Sequence, residues 1–163
     1  MNRVKHAIAQ WQQEMPELDL LPMEVVGYLK TTQQLAQERL QAFFKEYGLQ
    51  AGEFDVLATL RRSGAPYRLG PTQLFETLMV SSGGMTSRLD RLEKAGLIVR
   101  SPNPEDRRGT LVSLTEEGLA LMNRMVPRHV ENEAGMLGAL SREEQRTLSR
   151  LLGKLLEGLS EGD

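Results

Sequence analysis

The sequence predicts a mainly α-helical protein that contains one small β-hairpin. Apolar residues recur every three or four positions along most of the chain, which is the period of amphipathic helices. Two short helical segments are separated by the Gly/Ser turn at 81–84, and two β-branched runs flank a polar, Pro-containing loop at 101–109. Its 163 residues correspond to one domain or to one protomer of a symmetric assembly.

Composition excludes several classes of function. The chain has no cysteine, which excludes disulfides, thiol catalysis and cysteine redox sensing, and its two histidines, His6 and His129, are far apart in sequence. No apolar run approaches the roughly 18 residues that span a bilayer, and no signal peptide is recognisable. We therefore expect a soluble, cytoplasmic chain that uses neither a metal nor another cofactor and that does not enter a membrane.

The net charge of −2 conceals a local asymmetry. Residues 61–110 contain nine basic and five acidic side chains, a net charge of +4, whereas the rest of the chain contains eleven basic and seventeen acidic ones, −6. A basic centre with acidic flanks is typical of a polyanion-binding module, although chance clustering would give the same count.

The N-terminal third predicts three helices. Val4, Ile8, Trp11 and Met15 form one apolar stripe on a helix over 3–15. Pro22 suits the first turn of a long helix that ends near Tyr47, before Gly48, and whose apolar face carries seven residues. That face comprises Val25, Val26, Leu29, Leu35, Leu40, Phe43 and Phe44. A third helix over 51–62 stops at Ser63-Gly64.

A helix-turn-helix is predicted next. Pro71 precedes a short helix to about Leu78, on which Leu74, Phe75 and Leu78 are expected to face inward. After the turn at 81–84, a helix runs to Ala95 and is ended by Gly96, and in a helical projection over 82–95 its Met85, Leu89 and Leu92 form the core-facing side.

The outward side of the helix over 82–95 is suited to duplex DNA. Small residues at its N-terminus allow a close approach to base edges, hydroxyls can bond bases or phosphates, and arginines supply charge. The DNA-contacting residues expected here are Ser82, Gly83, Gly84, Thr86, Ser87, Arg88 and Arg91. An ordinary amphipathic helix with a solvated basic face is the structural alternative.

The hairpin predicts a second DNA contact. Its strands run over 97–100 and 110–114, and the loop between them holds Arg107 and Arg108 between Pro102, Pro104 and Gly109. A constrained arginine can enter a narrow minor groove, and Asp106 can fix the direction of a guanidinium. A solvated turn with a weak ion pair is the alternative. A helix-turn-helix followed by a basic hairpin defines a winged helix-turn-helix.

Two further helices complete the chain. Thr115 is expected to cap a helix that runs to about Ala139 with a bend at Pro127, and Ser141 with Glu144 forms a capping box for the last helix. That last helix carries more leucine than a lone terminal helix exposes. The predicted organisation is N-terminal helices over 1–47, the winged region over 48–114 and C-terminal helices over 115–163.

Three segments together resemble the MarR family of transcriptional regulators. These are Ser81–Ile98, Pro102–Gly109 and Leu114–Gly118, within a match over roughly 23–159. The resemblance implies an obligate homodimer, with N- and C-terminal dimerisation helices, that binds a pseudo-palindromic promoter site in double-stranded DNA. It also implies that Arg108 is the minor-groove finger and that Asp106 orients it.

The chain is also similar to the urate-responsive subgroup of that family at four positions: Trp11, Asp55, Arg88 and Arg100. An aromatic face, a carboxylate and two guanidiniums suit a flat, anionic heterocycle, so the resemblance implies a repressor released by a small anionic aromatic effector. Structural roles are the alternatives: an interface anchor for Trp11, a buried ion pair for Asp55 with Arg88, and a phosphate contact for Arg100.

Two other classes of function fit the sequence less well. An enzyme finds little support, because the serines of the turn have no nearby histidine and no phosphate-binding glycine loop or carboxylate pair stands out. A winged-helix protein-interaction module without sequence-specific DNA binding is the stronger rival. The basic, Gly/Ser-rich helix argues against it.

Overall fold

The computed structural model describes residues 2–78, 84–104 and 106–161, and it describes the backbone but not the side chains of Asp106, Arg107 and Arg108. The chain divides into two compact units, Met1–Ala51 and Gly52–Asp163. The predicted mainly helical class with a small antiparallel sheet is confirmed.

The N-terminal unit consists of two helices, α1 (Arg3–Glu14) and α2 (Leu21–Glu46). The Asn2 side chain caps α1 by accepting hydrogen bonds from the backbone N–H groups of Val4 and Lys5, and it donates to the Tyr28 hydroxyl of α2 at 3.1 Å. Val4 packs closely over Gly27, where an added Cβ would lie 3.1 Å from Val4 Cγ1. This contact seats α1 on α2.

Much of the apolar surface of the N-terminal unit is exposed in the single chain. The predicted face of α2 buries Phe44, but its N-terminal half is open to solvent at Val25, Val26 and Leu29. Trp11 on α1 is 44% exposed. Apolar patches of this kind on a helical surface are typical of protein contacts.

The C-terminal unit contains α3 (Ala51–Arg62, of which all but Ala51 belong to this unit) and the two helices of the predicted helix-turn-helix, α4 (Pro71–Thr77) and α5 (Met85–Lys94). Their fully or nearly fully buried side chains form the centre of the unit together with two strand residues and two methionines that follow: Val56, Leu57, Leu60, Leu74, Leu92, Ile98, Val112, Met122 and Met125.

One detail of the predicted helix-turn-helix is wrong. Phe75 does not face inward: it is 42% exposed, because the seven-residue α4 presents Leu74 to the core and its next position falls outside. Gly84 lies before α5 as its N-cap, as expected for a residue of the turn at 81–84, and its φ of +75° is a left-handed conformation that favours glycine. The turn residues Ser81, Ser82 and Gly83 lie outside the described residues.

The hairpin is longer than predicted. Strands β2 (Ile98–Asn103) and β3 (Asp106–Leu114) pair antiparallel up to Asn103 opposite Asp106, so most of the expected 101–109 loop is strand. Pro102, taken as a loop residue, pairs with Thr110. It is tolerated because β2 is an edge strand, where a missing N–H breaks no ladder on the outer side.

A third strand, β1 (Arg68–Leu69), was not predicted. It pairs antiparallel with the base of β3, which gives the sheet the order β1-β3-β2. Two residues are too few to show the alternation that marks a strand in a sequence.

Helices α6 (Glu116–Met136) and α7 (Arg142–Ser160) follow the sheet. Thr115 caps α6 and Ser141 forms the predicted capping box with Glu144, so both caps are confirmed, while α6 ends three residues before the expected position. The backbone of Gly118 packs against the Leu97 carbonyl, which seats the start of α6 beside the hairpin. No side chain of α7 is buried in the single chain.

Among the described residues, no helix has an apolar stretch long enough to cross a membrane. The same part of the chain holds no cluster of three or more histidine or acidic residues suited to a metal ion.

Candidate nucleic-acid interface

Helix α5 has a buried apolar side and a polar outer side. Met85, Leu89 and Leu92 are 5%, 7% and 1% exposed, as the sequence predicts. Four of the predicted DNA-contacting residues lie in the described part of the helix: Ser87 and Arg91 on the side away from the core, and Thr86 and Arg88 on its flanks. Since the apolar side is held in the core, the hydroxyls and guanidiniums are the groups that α5 offers to a ligand.

Arg91 is held by a carboxylate from another helix. Its Nε donates to Oε1 of Glu53, in the first turn of α3, at 2.5 Å, and its Nη1 donates to the Ser87 hydroxyl at 3.1 Å. The Glu53 side chain is only 6% exposed, whereas that of Arg91 is 46% exposed. The pair therefore has one buried partner and one that reaches the surface.

Arg88 lies directly over the backbone of α3. An added Cβ on Gly52 would come within 2.5 Å of Arg88 Cζ and 2.9 Å of its Nη2. The half-buried guanidinium therefore occupies space that is open only because residue 52 is a glycine.

Arg100 ties the hairpin to α5. From strand β2, its Nε and Nη2 donate to Oε2 of Glu93 at 3.0 and 2.6 Å, and its Nη2 also donates to Oδ1 of Asp90 at 2.8 Å. Its backbone N–H donates to Oε1 of Glu93 at 2.8 Å. Four hydrogen bonds thus join the first strand of the wing to the C-terminal half of α5.

The charges in this cluster stabilise one another. The Arg100 side chain and backbone N–H lower the pKa of Glu93 below its ordinary value, since both hydrogen bonds favour the carboxylate. Hydrogen bonds to Glu93 and then to Asp90 raise the pKa of Arg100 above that of a free guanidinium. Glu93 and Arg100 are therefore both ionised at neutral pH.

The structure describes the tip of the wing only in part. The backbone of Asp106–Leu114 forms β3, and Asp106 stands opposite Asn103. The side chains of Asp106, Arg107 and Arg108, and the turn residues Ser82 and Gly83, lie outside what the structure describes. Their DNA contacts remain sequence predictions.

The four predicted effector residues have different surroundings. Asp55 is 9% exposed and lines a cleft of about 600 Å³ between α3 and α6, together with Phe54, Met122 and His129. Arg88 contacts Gly52, and Arg100 is engaged by two carboxylates of α5. Neither arginine lines that cleft in the described part of the chain, and Trp11 belongs to the N-terminal unit.

Sequence reasoning missed the residues that hold these arginines. Glu53 shares one face of α3 with Val56, Leu57 and Leu60, which lie three, four and seven positions later. A carboxylate on a buried helix face requires a charged or hydrogen-bonding partner, and this spacing was the available signal. Nothing in the sequence marked Gly52 or Glu93 in the same way.

A helix with one buried stripe, arginines on its outer side and an adjoining hairpin tied to it defines a winged-helix DNA-binding regulator. The MarR family model matches residues 49–110. Over 152 residues the chain is 47% identical to the HTH-type transcriptional regulator PecS of Dickeya dadantii (strain 3937), with 93% of this chain and 92% of that one covered. The chain belongs to the MarR family of transcriptional regulators, which are not enzymes.

Two solved structures agree with this assignment. The chain resembles Sco3205 of Streptomyces coelicolor, a MarR family regulator solved in complex with DNA, with a TM-score of 0.78, 25% identity, and 87% of this chain and 89% of that one covered. It also resembles BpsR of Bordetella bronchiseptica, whose DNA binding is regulated by 6-hydroxynicotinic acid. There the TM-score is 0.71 at 27% identity, over 80% of this chain and 91% of that one.

The tie between the wing and α5 predicts a pH-dependent contribution to stability. Because the pKa of Glu93 is lowered in the folded chain, its carboxylate stabilises the fold above the ordinary value of 4.5 and loses this effect as the pH falls through the lowered value. Glu93→Gln should therefore lower the urea midpoint at neutral pH, and the difference from the wild type should shrink in acid. A difference that stays constant from neutral to acidic pH would contradict the assignment.

Proposed function

We propose that this chain binds a pseudo-palindromic promoter site as a homodimer and represses the adjacent gene until a small anionic aromatic ligand releases it. The observation that carries the proposal is the polar face of α5, whose arginines are held in place while its apolar side is buried. Because the chain is a DNA-binding regulator, we place its activity in the cytoplasm, at the DNA that it controls.

In this proposal, α5 enters the major groove and the wing reaches the adjacent minor groove. The turn and helix contribute hydroxyls and guanidiniums to base edges and phosphates, and a wing arginine enters the narrow groove, where the negative potential is strongest. The proposed contacts are Ser82, Gly83, Gly84, Thr86, Ser87, Arg88 and Arg91 on the helix side, with Arg107 and Arg108, and Asp106 as an orienting partner, on the wing.

The proposed homodimer is supported by the leucines of α7. Six of them are between 38% and 68% exposed, and they recur at the spacing of one helix face: Leu148, Leu151, Leu152, Leu155, Leu156 and Leu159. A monomer that left this stripe in water would forgo roughly 25 cal/mol for every Å² of apolar surface that a partner could cover. Two-fold pairing would also place two copies of α5 about one DNA turn apart.

The proposed effector is a flat, anionic heterocycle such as urate or a related purine. The regulation of BpsR by 6-hydroxynicotinic acid supports this chemical class. Asp55 supplies a buried acceptor, Arg88 and Arg100 supply guanidiniums, and Trp11 supplies an aromatic face. A ligand that engaged Arg88 would draw it from its seat over Gly52 and shift α5 out of register with the groove.

Arg108→Ala tests the wing contact. Loss of a minor-groove arginine should weaken operator binding by about 1–3 kcal/mol, the usual worth of one specific contact, without changing the dimer. Mobility shifts at fixed salt measure this effect. Arg142→Ala, which removes the same charge from the start of α7, should bind as the wild type does. Equal affinities of wild type and Arg108→Ala would refute the assignment of Arg108.

Leu152→Asp tests the dimer. A carboxylate in the leucine stripe of α7 should oppose association, because it would have to be buried without a partner. Sedimentation velocity should show monomers, and operator affinity should fall with dimerisation. Arg150→Asp introduces the same group on the same helix, opposite the stripe, and should remain dimeric. A dimeric, DNA-binding Leu152→Asp variant would move the interface elsewhere.

Titration of urate or xanthine into the protein–DNA complex tests the effector. Release of DNA should accompany a rise in thermal stability, because the ligand binds the folded chain. Asp55→Asn should reduce the response, and adenine, which carries no negative charge, should have little effect. If millimolar urate alters neither DNA affinity nor thermal stability, the urate proposal fails while the DNA-binding proposal stands.

A further inference from the structure

We propose that the first turn of α3, through Gly52 and Glu53, sets the direction of both arginines with which α5 meets DNA. Gly52 and Glu53 are positioning residues that do not themselves touch DNA. The inference rests on the proposed function, because it assumes that Arg88 and Arg91 contact the operator.

The first step is the bond between Glu53 and Arg91. The carboxylate is almost fully buried and accepts from Nε, the guanidinium nitrogen nearest the backbone. A bond at Nε restrains the plane of the guanidinium and leaves its two Nη groups at the outer end of the side chain. Nη1 also donates to Ser87, one turn earlier on the same helix face. Arg91 is thus held in one orientation with nearly half of its side chain exposed.

The second step is the packing of Arg88 against Gly52. The guanidinium lies over Gly52, within the space that the Cβ of any other residue would take. Glycine is otherwise a poor choice inside a helix, because it weakens the helix relative to alanine. The close approach of Arg88 supplies a reason for glycine at this position. Adjacent residues of one helix therefore determine where two arginines of another helix point.

Holding an arginine before DNA arrives increases both affinity and discrimination. A free arginine side chain loses rotamer freedom when it binds, and a restrained one has already lost it. The restraint also favours the contact that has the right geometry over a general attraction to phosphate. We therefore expect the first turn of α3 to affect binding to the operator more than binding to unrelated DNA.

Gly52→Ala tests the seat of Arg88. Alanine favours helix formation, so a loss of DNA affinity cannot be assigned to a weaker α3. We expect operator affinity to fall about three- to tenfold, the effect of releasing one ordered side chain, at unchanged or higher thermal stability. In an Arg88→Ala background the same substitution should change nothing. Gly135→Ala on α6, where an added Cβ meets nothing within 4 Å, is the matched control.

Glu53→Gln tests the bond to Arg91. The amide keeps the size of the side chain and removes its charge, so the ratio of operator affinity to affinity for unrelated DNA should fall about three- to tenfold. Glu76→Gln removes an equal charge from the exposed surface of α4 and should leave the ratio unchanged. In an Arg91→Ala background, Glu53→Gln should no longer affect the ratio.

The outcomes distinguish a failure of the positioning role from a failure of the proposed DNA contacts of α5. If Arg88→Ala and Arg91→Ala leave operator affinity unchanged, the proposed DNA contacts of α5 fail. If those variants lose affinity but Gly52→Ala and Glu53→Gln act additively with them, the positioning role is refuted alone. A rise in the operator ratio on Glu53→Gln would also overturn it, because Glu53 would then be withdrawing Arg91 from DNA.

Discussion

The ion pair between Glu53 and Arg91 constrains how α5 packs within the C-terminal unit. A buried carboxylate without a partner is costly, so the fold that buries Glu53 requires a cation at one place on its surface. Arg91 supplies this cation in only one orientation of α5 about the helix axis. Turning the helix by one residue, about 100°, would remove Arg91 from Glu53 and begin to expose Leu89 and Leu92. Charge pairing and apolar burial therefore favour the same rotation of α5 about its axis.

The wing is joined to the same helix by a second set of ion pairs, those of Arg100. Arg100 reaches from β2 to Asp90 and Glu93, so a displacement of α5 is transmitted to the base of the hairpin. This bears on any anion that is to be recognised by Arg100, since the anion must displace two carboxylates that already satisfy the guanidinium. An anion bound to Arg100 would therefore break the contacts by which this side chain joins the hairpin to α5.

Most of the fold could be predicted from local pattern. The bounds of α3, the caps at Thr115 and Ser141 and the buried stripe of α5 all follow from periodicity and end signals, which neighbouring residues encode. The errors occur where contacts between residues that are distant in sequence determine the secondary structure. Strand β1 exists because β3 offers it a partner, and Pro102 remains in a strand because β2 is at an edge. Polar and proline-rich composition predicted a loop at Pro102, and no pattern in the sequence marked β1.

The candidate site could likewise be predicted only where local pattern is sufficient. The outward residues of α5 could be found from a helical projection, because that requires only the position of the core. The partners of those residues could not, because Glu53 and Gly52 lie 38 and 36 positions from Arg91 and Arg88, and only the packing of α3 beside α5 brings them together. Sequence reasoning therefore identified the polar residues of α5 that lie outside the core and missed the residues of α3 that contact them.

Both margins of the small sheet are closed to further strands. One margin is β1, which is two residues long, and the other is β2, which carries Pro102. Short strands and proline are two of the devices by which proteins stop sheets from joining edge to edge and aggregating. Copies of this chain that meet at high concentration are thereby discouraged from pairing through the strands of their hairpins.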